Sequence, residues 1–230
     1  MSKLLIKEKQ IVVPGETLAE GMDFLPGDGT FRDKEQIVSQ GLGLATVKGR
    51  LIKLIPLAGK YSPKRDDIIV AKVKDIMSKG WMVNINTAYH AMITLKDATS
   101  DFIPRDADLS RYYKIGDWVL AKITRVTQNN LIDLSMREPR FKKLDGGRLI
   151  EVNPTKVPRI IGKKASMISL IKEKTDTNIQ VGQNGWIWLK GDPHGENLAV
   201  EAIKKIERES HKSGLTEEIE KFLDEGLKRL

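Results

Sequence analysis

The sequence predicts a chain that is mainly β with an α+β end: a small all-β segment, a second β segment of barrel size, and an α+β segment followed by a charged helix. Three observations predict it. Apolar stretches before Gly59 are short and punctuated by glycine and proline, residues 66–136 alternate with the period of strands, and beyond Leu149 the apolar spacing shifts toward that of helices. A length of 230 residues suits two or three compact domains with modest cores. The expected boundaries are 1–60, 61–140, 141–212 and a helical tail over 213–230.

In the first segment, Ile11-Val12-Val13, Ile37-Val38, Leu42 to Val47 and Leu51 to Leu57 read as strands. Pro14-Gly15, Pro26-Gly27-Asp28-Gly29, Gly41, Gly43 and Gly49 punctuate them. The second segment offers Ile68 to Ile76, Trp81 to Asn86, Tyr89 to Leu95, Trp118 to Val126 and Leu131 to Leu134. These strands, with a longer insertion before the fourth, have the size and layout of a five-stranded OB barrel. The third segment runs strand (Leu149 to Val152), helix from Val157, glycine loop, helix (Ser166 to Lys174), two strands and a final helix (Asn197 to Glu209). Gly182-Gln183-Asn184-Gly185 turns between the strands. The tail helix places Ile219, Phe222, Leu223 and Leu227 on one face that needs a surface to cover.

Composition removes several function classes. With no cysteine there are no disulfides, thiolate zinc sites or cysteine nucleophiles. His90, His194 and His211 are scattered, without metal-ligand spacing, and no apolar run approaches the roughly 20 residues of a membrane span. Met1 to Gln10 does not read as a signal peptide, so a cytoplasmic location is expected. No P-loop, histidine pair or dense carboxylate cluster is present, and Asp66-Asp67 and Asp106-x-Asp108 sit in turn-like contexts. The expectation is a chain with no catalytic residues, metal or cofactor. A formal charge of +8 favours a polyanionic partner.

The most informative stretch is Arg159-Ile160-Ile161-Gly162-Lys163-Lys164-Ala165-Ser166-Met167-Ile168. A glycine loop between two helices brings backbone close to a nucleic-acid strand, and basic residues in it pair with phosphates. The stretch resembles the Gly-x-x-Gly signature of a KH domain, with Ala165 in place of the second glycine. The resemblance implies that Gly162, Lys163 and Lys164 meet RNA. In the β segment, Gly80-Trp81-Met82-Val83, Ile115-Gly116-Asp117-Trp118-Val119 and Leu131-Ile132-Asp133-Leu134-Ser135 resemble the OB barrel of the ribosomal-protein S-one type. Such barrels stack bases on aromatics while a basic groove follows the phosphates. Candidates here are Tyr89, His90, Arg105, Arg111, Tyr112, Tyr113, Lys122 and Arg125. Lys122 and Arg125 stand three apart, so in a regular strand they face opposite ways. Trp186 and Trp188 share a strand face and read as packing residues, as do Trp81 and Trp118.

Ile11-Val12-Val13-Pro14-Gly15-Glu16, Gly27-Asp28-Gly29-Thr30 and Pro56-Leu57-Ala58-Gly59-Lys60-Tyr61-Ser62-Pro63 look like the opening domain of the RNA-binding cap subunits of the archaeal exosome. The order N-terminal domain, barrel, KH extends that likeness over about residues 5–210. Asp66-Asp67 departs from it where those subunits usually carry Gly-Asp. The resemblance implies three copies capping a six-membered ring of phosphorolytic, RNase PH-like subunits. The N-terminal domain would dock on the ring, and the barrels would guide single-stranded RNA inward for 3′–5′ degradation and tailing. Other readings are a free-standing single-stranded RNA-binding factor of translation or stress response, and a polynucleotide phosphorylase fragment. In those enzymes KH precedes the barrel, the reverse of the order here.

Overall fold

The computed structural model describes residues 3–57, 59–101, 103–104, 107–210, 212 and 214–227. It divides into two compact units, 1–59 and 60–230.

The first unit is built from two small sheets. One has the order β1 (Lys3–Leu4), β3 (Thr17–Glu20), β6 (Gln36–Ser39), β5 (Thr30–Asp33); the other runs β2 (Ile11–Val12), β7 (Gly43–Lys48), β8 (Leu51–Pro56), β4 (Leu25–Pro26). Leu18, Ala19 and Ile37 from the first sheet meet Val12, Ala45, Ile52 and Leu54 from the second in a shared core. The turn after Pro26 is tied down by Thr30, whose buried hydroxyl donates to the Ile52 carbonyl at 3.1 Å.

The second unit holds the OB barrel and the KH domain. In the barrel, β9 (Ile68–Met77) pairs with β10 (Gly80–Asn84) and β12 (Trp118–Val126). β10 pairs with β11 (His90–Thr94), and β13 (Ile132–Ser135) closes the circle, parallel to β11 and antiparallel to β12. A short β14 (Lys143–Leu144) extends β12. The interior is filled by alternate residues, Ile69, Ala71 and Val73 on β9, Trp81 and Val83 on β10, Ala91 and Ile93 on β11, with the Trp81 indole donating to the Tyr113 carbonyl at 3.0 Å. Helix α1 (Leu95–Ala98) opens the insertion before β12. Asp66, just before the barrel, has φ +73. That left-handed conformation is the reason glycine suits this position, and aspartate is among the residues that tolerate it.

The KH domain has a sheet of order β15 (Arg148–Glu151), β17 (Trp186–Lys190), β16 (Asn178–Val181), all antiparallel. Helices α2 (Val157–Ile161), α3 (Ser166–Thr175) and α4 (Pro193–Glu209) cover it, α4 capped by Asp192, which accepts from the His194 amide. The tail forms α5 (Leu215–Leu227), and the surface its apolar face covers is the KH domain itself: Leu215, Ile219 and Leu223 are buried in one core with Ile171, Leu198 and Ile203. Lys174–Asp224 (2.6 Å) and Lys205–Glu218 (3.0 Å) flank that contact.

Barrel and KH domain are joined through the Gly182–Gly185 turn. Asn184 is fully buried, and its side-chain amide donates to the carbonyls of Val70 (2.7 Å) and Ile85 (3.0 Å) on the barrel. The Gln183 amide donates to the Ile68 carbonyl at 2.8 Å. Gly182 must be glycine, since a Cβ there would lie 2.3 Å from Asn184 Oδ1 and 2.7 Å from the Val70 amide nitrogen. Trp186 and Trp188 pack into the barrel's hydrophobic cluster, Trp186 edge-on to Trp118 at 5.0 Å, so their role is packing. Replacing Asn184 with alanine strips two buried carbonyls of their donors and should cost about 2–4 kcal/mol. Urea unfolding of the full chain measures this, and a loss below about 0.5 kcal/mol would contradict the role given to Asn184.

Candidate nucleic-acid interface

Strand alternation fixes the outer face of the barrel. Because Trp81, Val83, Ala91 and Ile93 point inward, Met82, Asn84, His90 and Met92 point outward. Cross-strand register lines them into rows. Asp75, Met82, Met92, Asp133 and Arg125 are successive partners on β9, β10, β11, β13 and β12; Lys72, Asn84 and His90 form the neighbouring row. In an OB barrel this face, over the second and third strands, is the one that receives oligonucleotides. Its floor is a pair of methionine thioethers, polarizable and tolerant of different ring shapes. The sequence reading missed Met82, Met92 and Asn84. The signal that could have found them is alternation, of Met82 and Asn84 with Trp81, Val83 and Ile85, and of Met92 with Ala91 and Ile93.

The structure sorts the barrel candidates. His90 is exposed on this face, its Nε2 2.9 Å from Lys74 Nζ. Tyr89, 47% exposed, precedes β11 at the edge of the face. Tyr112 stands edge-on to Trp81 at 6.4 Å, beside the barrel interior. Tyr113 is core: its hydroxyl donates to the Ala98 carbonyl at 3.0 Å, and burial pushes its phenol above the usual range. Arg111 lies 3.6 Å from Asp108, with its side chain 83% exposed. Arg105, like His211, lies outside the described residues.

Lys122 and Arg125 do not face opposite ways. A bulge between Ile123 and Arg125 shifts the register, so Lys122 stands opposite Ser135 and Arg125 opposite Asp133, both on the outer face. Both are engaged within the protein. Lys122 pairs with Asp66 at 2.9 Å, and its hydrogen bond holds the Asp66 carboxyl below the usual carboxylate range. Arg125 Nε donates to Asp133 Oδ2 at 2.7 Å.

The KH loop differs in that its cations are uncommitted. Lys163 and Lys164 are exposed, and among the described residues neither forms an ion pair. Gly162 has φ +76, and a Cβ on it would approach Met167 Cβ to 2.7 Å, so glycine is required. Lys164 (φ +52) and Ala165 (φ +64) are both left-handed. The second glycine of the usual signature would relieve Ala165, whose left-handed conformation costs roughly 1 kcal/mol. Among the described residues no three His, Cys, Asp or Glu side chains converge on a metal-sized site, and no helix is long and apolar enough to cross a membrane.

Ala165→Gly should therefore raise stability by about 0.5–1 kcal/mol, seen as a melting-temperature increase of roughly 1–4 °C. An unchanged or lower melting temperature would show that Ala165 is not strained. Lys163→Glu with Lys164→Glu should flatten the salt dependence of RNA binding by about 1 to 2 units of log–log slope. An unchanged slope would leave the loop as architecture.

Comparison with known proteins agrees with this layout. Residues 62–137 match the S1 RNA binding domain model and residues 147–194 the KH domain model. The exosome complex component Rrp4 of Thermococcus kodakarensis is 42% identical over 234 residues, covering 100% of this chain and 91% of that protein. The Rrp4 of Methanothermus fervidus is 40% identical, covering 96% and 97%. A crystal structure described as that of an exosome complex RNA-binding protein superposes with a TM-score of 0.65 at 32% identity, over 74% of this chain and 98% of that one. With the two domain models in sequence and this identity over essentially its whole length, the chain belongs to the Rrp4 family of exosome complex components.

Proposed function

We propose that this chain is a non-catalytic RNA-binding subunit of an exosome. Three copies cap a ring of RNase PH-like subunits, and each guides single-stranded RNA into the ring for 3′–5′ degradation and tailing. Its N-terminal unit (1–60) docks on the ring, the barrel (61–140) and the KH domain (141–212) hold the strand, and the tail helix (213–230) buttresses the KH domain. The assembly works in the cytoplasm.

The observation that carries this reading is a row of apolar side chains left in solvent on the N-terminal unit. Ile11, Leu44 and Ile55 are direct cross-strand partners on β2, β7 and β8, and Ile11 and Ile55 are 62% and 51% exposed. The next positions, Val13 and Leu42, are exposed as well. A contiguous apolar row on so small a unit is the mark of a protein interface, and a subunit of a complex has a use for one. The RNA-holding half of the reading rests on the thioether-floored barrel face and the uncommitted Lys163 and Lys164. Family membership supports an exosome complex as the setting for that interface.

The test is assembly. Ile11→Glu with Ile55→Glu should leave RNA affinity unchanged while abolishing co-elution with the RNase PH-like ring in size-exclusion chromatography. Wild-type chain alone should leave RNA intact and raise ring activity on long substrates. Full assembly by the doubly charged variant, or RNA cleavage by the isolated chain, would overturn the proposal. Isolation from its host only as a ring-free monomer would favour the free-standing RNA-binding factor.

A further inference from the structure

We infer that a pocket at one end of the barrel, beyond the face described above, receives one ribonucleotide of the bound strand. Lys96 and Arg137 hold its phosphodiester, and Ser100 and Asp101 meet its ribose. The inference rests on the RNA-binding reading of the barrel and extends it to a subsite.

The topology builds the pocket. β11 and β13 run parallel and side by side, Ile93 opposite Leu134, so both deliver their following residues to the same end of the barrel. After β11 comes α1 with Lys96; after β13 comes Arg137. The Met136 amide donates to the Asp97 carbonyl at 2.6 Å and stitches the two together. Between them lies a cavity of about 260 Å³, with Leu95 and the buried Ile103 on its apolar side and Lys96, Ser100, Asp101 and Arg137 on its polar side. That volume is several times the roughly 30 Å³ of a water molecule, room for a sugar-phosphate rather than a single ion.

Its position suits a strand crossing the outer face. The Leu95 amide donates to the Lys79 carbonyl at 3.3 Å, which sets α1 against the β9–β10 turn. In OB barrels the turn between the first and second strands borders the nucleic-acid face, so a strand passing that turn arrives at this cavity.

Charge supports an anionic occupant. Four of the barrel's other cations, Lys122, Arg125, Arg140 and Lys143, are paired with carboxylates at 2.7–2.9 Å, while Lys72 lies over the Trp118 ring and Lys74 beside His90. Lys96 and Arg137 are exposed, and among the described residues neither forms an ion pair. Asp101 decides the chemistry further. Its carboxylate would repel a phosphate dianion, whereas a phosphodiester carries a single charge and its ribose offers a 2′-hydroxyl that can donate to a carboxylate. The Thr99 hydroxyl donates to the Asp101 carbonyl at 2.8 Å and sets the turn that carries Ser100 and Asp101.

The experiment is fluorescence anisotropy of the full chain with a labelled single-stranded oligoribonucleotide and its all-2′-deoxy counterpart, across a salt series. Lys96→Ala with Arg137→Ala should weaken RNA binding about tenfold or more and lower the log–log salt slope by about 1.4, two contacts at about 0.7 each. Asp101→Ala should shrink the preference for RNA over the deoxy strand. Both sites are exposed, and circular dichroism verifies the fold. Met82→Glu with Met92→Glu, on the barrel face, serves as the reference. If that variant binds weakly while the Lys96/Arg137 variant retains wild-type affinity and slope, the subsite is wrong and the barrel reading stands. If both bind as wild type, the barrel reading itself falls. An undiminished RNA preference in Asp101→Ala removes the ribose assignment.

Discussion

The second unit depends on one buried amide. Asn184 reaches from the KH turn into the barrel and satisfies the Val70 and Ile85 carbonyls, two acceptors that would otherwise be buried without donors. A polar joint of this kind accepts few geometries, because each misalignment leaves a buried carbonyl unpaired at about 1–3 kcal/mol. The tryptophans around it supply the area: Trp118, Trp186 and Trp188 lie in the barrel's own hydrophobic cluster although two of them belong to a KH strand. Apolar contact supplies adhesion and Asn184 supplies register. The barrel face and the KH loop are consequently carried on one framework.

The net charge of +8 gives little idea of where polyanions are met. On the barrel, Lys122, Arg125 and Lys143 answer Asp66, Asp133 and Asp117, and such pairs leave little field for a ligand. Among the described residues, cations without an ion pair include Lys163 and Lys164 on the KH loop and Lys96 and Arg137 at the barrel end. The outer face of the barrel carries a thioether floor, Met82 opposite Met92, with His90 and Tyr89 beside it. Methionine contacts bases through dispersion without demanding a particular ring, which suits a surface that passes strands of any sequence.

The N-terminal unit follows another logic. Its core is small, and Ile11, Leu44 and Ile55 on the far face of the same sheet contribute nothing to it. Leaving those side chains in water forgoes burial worth roughly 25 cal/mol per Å² of apolar surface, a cost offset when a partner covers them.

Much was legible before any coordinates. Glycine spacing and strand alternation gave the barrel, and the Gly162 loop between two apolar helices gave the KH domain, because turns and amphipathic periods are local properties of the chain. The same local reasoning placed the tryptophans as packing. It failed where a long-range partner decides. Lys122 and Arg125 were assigned to opposite faces by regular alternation, and a bulge set by pairing with β13 put them on one face. Met82 and Met92 were not singled out until register turned them outward, and Asn184 read as an ordinary turn residue until the barrel supplied its carbonyls. Sequence determined which segments are strands, helices and turns, since backbone conformation and burial period are written in neighbouring residues. Tertiary structure alone decided which side chains are free to meet a ligand, since pairing and register join residues that are distant along the chain.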